Sequence, residues 1–489
     1  MTPASEDPET ERSASAAVPQ PDAFPPSPLP HDPYATLRIA DARNFLTGNM
    51  LSIFGTQMLS VAMGWEILQR TGSATALGLV GLAQALPIIC CALFAGQMAD
   101  TYNRKTIVLI TQIIMATLSL SLAAASFYHT AIPHYALLDQ ANQVLAHIDQ
   151  WLQGLFGKLR PSHIETHFQE PVIPVMYLIL LLNGVARACN DPAKSSLLPR
   201  LVPLPLVSNA ITWSSSSFQT AATVGPALGG LLLAYFSFPL VYTLDALGHL
   251  ALAAAMFTIH NPLTSTNQSG EKVSLRTVAA GLGFVFEKQV ILATITLDLF
   301  AVLLGGAVAL LPVYAKMLHV GPIGLGLMRA APSIGALLMG LIVAHRPPMR
   351  HAGRNLLWAV SGFGLATIIF GLTALLPKAL GPTLGFAIAL LMLFLTGALD
   401  NISVVVRHTL VQVLTPDAMR GRVSAVNNIF IGSSNELGAF ESGITAAMFG
   451  PLISVVGGGV GTIIVVLGCA WIWPQLRRIR TLDGSGTVD

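Results

Sequence analysis

The sequence predicts an all-α membrane protein, with twelve transmembrane helices arranged as two six-helix halves. Three observations predict it. Of 489 residues, 53% are hydrophobic and 10% charged, whereas about a quarter of the residues of a soluble domain are charged. Apolar stretches long enough to cross a hydrocarbon core of about 30 Å recur along nearly the whole chain. The second half of the chain also repeats features of the first. A net charge of +2, with basic residues dispersed between apolar runs, offers nucleic acid no patch to bind. Cys90, Cys91, Cys189 and Cys469 lie in apolar runs without CxxC or His/Cys ligand spacing, and are expected to be core thiols rather than metal or redox groups.

Residues 1–39 open the chain with a segment rich in Pro, Ser, Ala and acids. It cannot bury enough apolar surface to offset the entropy of ordering, so a disordered tail is expected, and it lacks the basic-then-apolar pattern of a signal peptide. Spans then follow at 44–69, 74–97, 106–127, 173–191, 207–235 and 239–260, and again at 290–315, 325–345, 355–376, 382–407, 422–449 and 452–474. This divides the chain into an N-terminal half over 40–260, with an insertion at 128–172, a linker at 261–289, a C-terminal half over 290–475 and a tail at 476–489.

Basic residues orient these spans. With the N-terminus inside, eighteen of the 26 Lys and Arg fall in the tails and the cytoplasmic loops. Six, including Arg70 and Arg329, fall outside, and Arg187 and Arg407 lie in or at the edge of spans. This asymmetry places both termini in the cytoplasm.

The repeat is visible when 182–203 is laid over 396–416, which matches Gly184 to Gly397, Lys194 to Arg407 and Pro203 to Pro416. Span 4 then corresponds to span 10. The excess length of the first half falls in 128–172. There Leu138, Ala141, Leu145, Ile148, Leu152, Leu155 and Leu159 make one apolar seam on a helix of about five turns. It is expected to lie on the membrane surface or the protein's own mouth, with docking of a partner as the alternative. Five histidines occur in this stretch, His129, His134, His147, His163 and His167, but only His163 and His167, flanking Glu165, have i, i+4 spacing, and no metal site is expected.

Between spans 2 and 3, "GQMADTYNRK" sets Gly96, Asp100, Arg104 and Lys105 in the spacing G-x3-D-x3-R-K. Glycine at a helix end permits close backbone approach, aspartate suits a helix N-terminus, and the basic pair suits a cytoplasmic surface. The spacing resembles the signature loop of the major facilitator superfamily. Its counterpart in the second half keeps Gly340 and Arg354 but has Ala344 in place of the acid. Two six-span halves with a site between them match the plan of such transporters.

On span 5, "TVGPALGGLL" places Gly225, Pro226, Gly229 and Gly230 in a pattern that resembles the G-P-x-x-G-G element of the superfamily's antiporters and exporters. Small residues allow close helix approach and proline bends a span, so either static packing or a hinge would use them. "VRHTLVQVLTPDAMRGRVSAV", with the span 11 sequence after it, resembles the exporter branch that includes the enterobactin exporter and macrolide efflux pumps. The resemblance covers about residues 40–475 and implies a proton-driven exporter working by alternating access. It also implies that Asp100 engages the start of span 11, near Gly421 and Arg422, in the outward-facing state.

A charge inside a span costs several kcal/mol unless it is paired or faces a cavity. The candidates are Arg187, Asp245, Asp298, Asp400, Glu436 and Glu441. For Arg187 and Asp400, equivalent in the repeat and opposite in sign, a buried structural ion pair is an equal alternative. Arg407 is discounted, because its counterpart Lys194 follows Pro192 at the cytoplasmic end.

On span 11, Asn427, Ser434 and Glu441 recur every seven residues beside a second row, Asn428, Asn435 and Ser442. That polar face is expected to line the cavity. Helical geometry therefore favours Glu441, Glu436 pointing about 100° from the nearer row. The family resemblance instead favours Glu436 in "SNELG", and both remain candidates.

The expected function is proton-coupled export of a siderophore, drug or amphipathic metabolite. The expected protein is a monomer in the plasma membrane, with no cofactor beyond the coupling proton. The alternatives are an importer of a sugar or organic acid and a lipid translocator. No Ser/His/Asp, metal or phosphate-loop constellation suggests an enzyme.

Overall fold

A computed structural model describes residues 32–155, 168–259, 282–347, 349, 351–376 and 381–479. Of the positions named above, Leu159, His163, Glu165, His167 and most of the linker and of both tails lie outside the described residues, as do the side chains of Asp100 and Asn428.

The described residues are helical and contain no strand. The long helices of the N-terminal half are span 1 (Ala40–Thr71), span 2 (Ala74–Thr101), span 3 (Arg104–Phe127), span 4 (Val172–Leu197), span 5 (Val207–Tyr235) and span 6 (Phe238–Thr258). In the other half, span 7 (Gln289–Gly305) passes through a 3-10 turn into Leu311–Met317. Span 8 (Gly321–Ala344), span 9 (Ala352–Leu372), span 10 (Pro382–Leu414), span 11 (Asp417–Phe449) and span 12 (Pro451–Ile472) follow. An insertion helix, Ala136–Leu155, separates spans 3 and 4.

Ten of these helices are long and apolar enough to cross a membrane. Spans 5 and 11 are not among them. The first carries a run of four serines and the second carries its arginines and glutamates, side chains that only a protein interior or a watery cavity can accept at membrane depth.

Local chemistry sets the helix ends. Gly72 takes φ 64° to end span 1, a left-handed conformation that glycine adopts without strain. Ser73 then caps span 2, its hydroxyl accepting from the Ala76 amide at 3.2 Å. At the opposite end of the bundle, Asn103 caps span 3, and Lys105 Nζ donates to the Ile259 carbonyl at 2.7 Å, placing a cation at the end of span 6. Span 4 differs from expectation, since Pro192 lies within it and the helix continues to Leu197. Part of the tail differs too: Trp213 and Asn209 of span 5 donate to the Pro33 carbonyl at 2.9 and 3.0 Å, fixing the chain just before span 1.

The core shows how the halves meet. At the end bearing the insertion helix, one apolar cluster joins both halves, including Met63, Ile67, Met176 and Tyr242 from one and Leu311, Tyr314 and Met328 from the other. At the opposite end the halves have separate clusters. The N-terminal one is built on Phe45, Val108, Leu197 and Leu252, and the C-terminal half has two, one on Leu297, Leu356, Val406 and Leu476 and a smaller one on Ile291, Ile295, Val411 and Val423.

Backbones approach closely where the halves meet. A Cβ on Gly78 of span 2 would lie 3.0 Å from Gly443 Cα and from the Phe440 carbonyl oxygen of span 11. The span 5 glycines pack on two sides. Gly225 and Gly229 face Gln57 and Met58 of span 1, while Gly230 faces Pro322 and Gly326 of span 8. The G-P-x-x-G-G element is thus a packing surface both within its own half and across to the other.

The insertion helix docks by a face different from the expected seam. Leu152 of that seam is buried, but so are Asn142 and Asp149, while Ile148 and Leu155 are exposed. Asp149 accepts hydrogen bonds from Ser73 Oγ at 2.8 Å and Thr75 Oγ1 at 2.5 Å, and Asn142 Nδ2 donates to the Glu170 carbonyl at 3.0 Å. Two hydroxyls at the start of span 2 outweigh a purely apolar face, because a buried carboxylate must find donors. The helix also contacts span 11.

Candidate functional site

A cavity of about 300 Å³ lies between the halves. Most of its wall is apolar, from Leu59, Met63, Leu77, Val80, Leu118, Leu122, Val302 and Leu325. Its polar groups converge from several spans. Thr56 and Ser60 come from span 1, Gln84 from span 2, Ser119 from span 3, Asn183 and Arg187 from span 4, Arg329 from span 8, and Asn435 and Glu436 from span 11. Span 7 contributes Gly306, where its helix is interrupted, followed by Pro312.

Arg187 Nη1 lies 3.7 Å from Glu436 Oε1, joining span 4 to span 11 across the boundary between halves. The guanidinium is shared, since Nε is 3.6 Å from Asp191 Oδ2, and Asp191 in turn is 3.8 Å from Lys194 Nζ. The carboxylate side chain of Glu436 is 20% exposed and that of Arg187 38%, so both reach the open space of the cavity.

The other expected residues divide between the halves. Asp245 on span 6 lines the cavity from behind, only 1% exposed. Its Oδ2 accepts from Ser119 Oγ at 2.6 Å, and His249 Nε2 stands 3.5 Å from Oδ1. The network continues from His249 Nδ1 to Gln112 Oε1 at 2.7 Å, and from Gln112 Nε2 to Asn190 Oδ1 at 3.2 Å. It fastens spans 3, 4 and 6 to one another. In the other half Asp298 of span 7 forms an ion pair with Arg407 of span 10. Asp400 borders a small void beside Asp298 and Ser403. Arg407, discounted above, is therefore a buried ion-pair partner well inside its helix, and Arg187 pairs with Glu436 instead of Asp400.

The polar rows of span 11 do not all face the cavity. Asn427 and Ser434 are buried, 3% and 1% exposed, and Ser434 Oγ donates to the Ile431 carbonyl of its own helix at 3.0 Å. Asn435 does line the cavity, but Glu441 does not. The turn after Glu441 packs on span 12, where Ser454 Oγ donates to the Ser442 carbonyl at 3.1 Å. A serine or asparagine can bond to a carbonyl of its own helix, so polarity along a helix does not by itself mark a wet face.

Two features escape the sequence reading. Arg329, counted with the outer loops, is inside span 8 and lines the cavity. Glu66, near the end of span 1, is fully buried and fully bonded. It accepts from Arg70 Nη2 at 2.7 Å, Ser126 Oγ at 2.6 Å and Tyr242 OH at 2.5 Å, and Arg70 also pairs with Glu170.

The cavity between the two helical halves is mostly apolar and has an ion pair across it. The family model of the Major Facilitator Superfamily matches residues 45–439. The chain belongs to this superfamily. Among curated members, the enterobactin exporter EntS of Citrobacter koseri is 23% identical over 438 residues, covering 90% of this chain and 93% of that protein. EntS of Shigella boydii is 23% identical over 311 residues, covering 64% of this chain and 72% of that protein. Solved superfamily folds superpose over most of the chain. A point mutant of the nucleoside transporter NupG gives a TM-score of 0.63 at 11% identity, covering 88% of this chain and all of that one. A bacterial homologue of the iron transporter ferroportin in an inward-facing state gives 0.61 at 14% identity, covering 89% and 99%. A D-xylose–proton symporter gives 0.59 at 13% identity, covering 92% and 98%.

Proposed function

We propose that this superfamily member is a proton-coupled exporter of an amphipathic metabolite, drug or siderophore, working by alternating access. The observation that carries the reading is the Arg187–Glu436 pair, which ties one half to the other across the cavity. Protonation of Glu436 would neutralise the carboxylate and release that tie, so proton binding would bias the balance between conformations. The names of the curated relatives support export as the direction.

In this reading residues 40–260 rock against 290–475 in the plasma (inner) membrane, all twelve long helices cross it, and both termini face the cytoplasm. The insertion end is then the outer end. There the two halves share a core and the Gly78–Gly443 and Gly230–Gly326 approaches, which supports an inward-facing arrangement closed outside. Asp100 would engage the start of span 11 when the protein faces outward.

The test is transport by the purified full-length protein in proteoliposomes, with candidate compounds and imposed pH gradients. Movement of a compound against its concentration gradient, driven by opposing proton flow and abolished by a protonophore, is expected. Transport indifferent to the proton gradient would reject the coupling, and uptake in the direction of proton flow would reject export.

A further inference from the structure

The transport reading leaves the charge of the cavity unexplained. Two guanidinium groups line it, Arg187 and Arg329, with two carboxylates, Glu436 and the almost fully buried Asp245. Glu436 lies within ion-pair distance of Arg187. Arg329 makes no hydrogen bond and no ion pair among the described residues, although the Glu436 carboxylate lies close enough for its field to act on it. The other ionisable groups at the cavity, Asp245 and His249, are 1% and 2% exposed and are engaged with each other and with Ser119, Ser52 and Gln112. Among the described residues, Arg329 is therefore the guanidinium at the cavity that has no carboxylate in ion-pair contact.

Its position makes that charge costly. Arg329 is eight residues into span 8, roughly 12 Å from the start of the helix at 1.5 Å per residue. An arginine at such depth is tolerated when it faces a watery cavity, and becomes unfavourable when the cavity closes and water leaves. Alternating access requires that closure. A ligand bringing one negative charge would pair that guanidinium and allow the cavity to close around it.

We propose that Arg329 is a substrate-binding residue, and that the transported molecule is an amphipathic organic anion whose carboxylate or comparably acidic group it holds. This rests on the transport reading above and specifies its substrate class. The planar guanidinium suits a carboxylate, which it can hold through two parallel hydrogen bonds. The apolar wall formed by Leu59, Met63, Leu77, Val80, Leu118 and Leu122 would take the rest of the molecule. Because Arg329 belongs to the C-terminal half and that wall to the N-terminal half, such a ligand touches both halves at once. An anion leaving the cytoplasm also moves down an inside-negative membrane potential, so voltage would add to the driving force for export.

The test compares two probes of one shape, naphthalene-2-carboxylate and naphthalene-2-carboxamide, binding to the full-length protein in phosphatidylcholine nanodiscs. Wild type is expected to prefer the carboxylate by roughly tenfold or more, the range of a charge-assisted hydrogen bond. Arg329→Gln should bind the two probes equally, and Arg329→Lys should keep a preference. Both variants are checked for monodisperse elution and an unchanged thermal midpoint. An equal affinity of wild type for the two probes, or no detectable carboxylate binding, overturns the proposal. So does a preference that survives in folded Arg329→Gln. Repeating the measurement with phosphatidylglycerol in the nanodisc separates a lipid headgroup from a soluble anion. Retained carboxylate binding supports the proposal, and its loss assigns Arg329 to lipid and overturns it. Since binding is measured without transport, failure here leaves the exporter reading standing, and failure of proton-driven transport leaves this site standing.

Discussion

Arg187 on span 4 and Glu436 on span 11 stand 3.7 Å apart, and with this approach an ion pair bridges the two halves at the cavity. If the carboxylate is the proton carrier, Glu436→Gln imitates its protonated form in shape and charge. In proteoliposomes that variant is expected to lose export driven by a pH gradient while still exchanging substrate down a concentration gradient. Glu441→Gln, on a turn that packs against span 12, is expected to keep gradient-driven export. Retained drive in Glu436→Gln would move the proton site to Asp245, Asp298, Asp400 or Glu441.

The Glu66 cluster yields a stability prediction. Replacing Arg70 by Met leaves a fully buried carboxylate without its cation, a change that typically costs about 3 kcal/mol or more. A large drop in the thermal midpoint of the purified protein is expected. Adding Glu66→Gln should recover most of it, because the amide carries no unpaired charge and can keep both contacts, its oxygen accepting from one of the Tyr242 and Ser126 hydroxyls and its NH2 donating to the other. A single variant as stable as wild type would contradict a structural role for the pair.

Gly78 bears on the conformational balance. Its place against Gly443 and the Phe440 carbonyl leaves no room for a side chain, so Gly78→Leu should push spans 2 and 11 apart at the insertion end. In a background without native cysteines, Asn435→Cys should then react faster with an impermeant maleimide added outside. An unchanged rate in well-expressed protein would mean that the two helices do not gate that entrance.

Topology can be tested with the same reagent. Gln150 is exposed on the insertion helix, so Gln150→Cys should label in intact cells, whereas Ser269→Cys in the linker should label only after permeabilisation. The reverse pattern would invert the proposed orientation, and with it the assignment of the closed end.

The helical architecture was legible because a bilayer imposes length and apolarity on every crossing segment, and the described residues form long helices where the apolar stretches predict them. The site was legible only in part. Glu436 was named through its family motif, whereas helical geometry preferred Glu441. That preference treated polarity as a marker of cavity, and Ser434, bonded to its own helix, shows why it is not one. Arg407 was set aside on the assumption that Pro192 ends span 4, yet neighbouring helices can satisfy the backbone around a membrane proline, and the helix runs on. Arg329 was counted with the outer residues although it falls within the span predicted at 325–345, and it lies in the third turn of the helix that begins at Gly321. Glu66 lies inside the span at 44–69 and met the same charge-in-span criterion but was passed over, and its donors Ser126 and Tyr242, from spans 3 and 6, are far away in the chain.

The insertion helix has a practical consequence. Its polar anchors are Ser73, Thr75 and the carbonyl of Glu170, all in the N-terminal half, so it must travel with that half while its edge rests on span 11 of the other. An antibody fragment recognising the exposed face around Trp151 and Val144 alone would bind in every conformation and serve as a neutral mass for imaging so small a protein. A fragment whose footprint also covers the adjoining end of span 11 would bind only while the two surfaces lie side by side. It would act as an inhibitor that never enters the transport path, and raising the two kinds of fragment together would give a matched pair of reporters, one for the amount of transporter and one for its state.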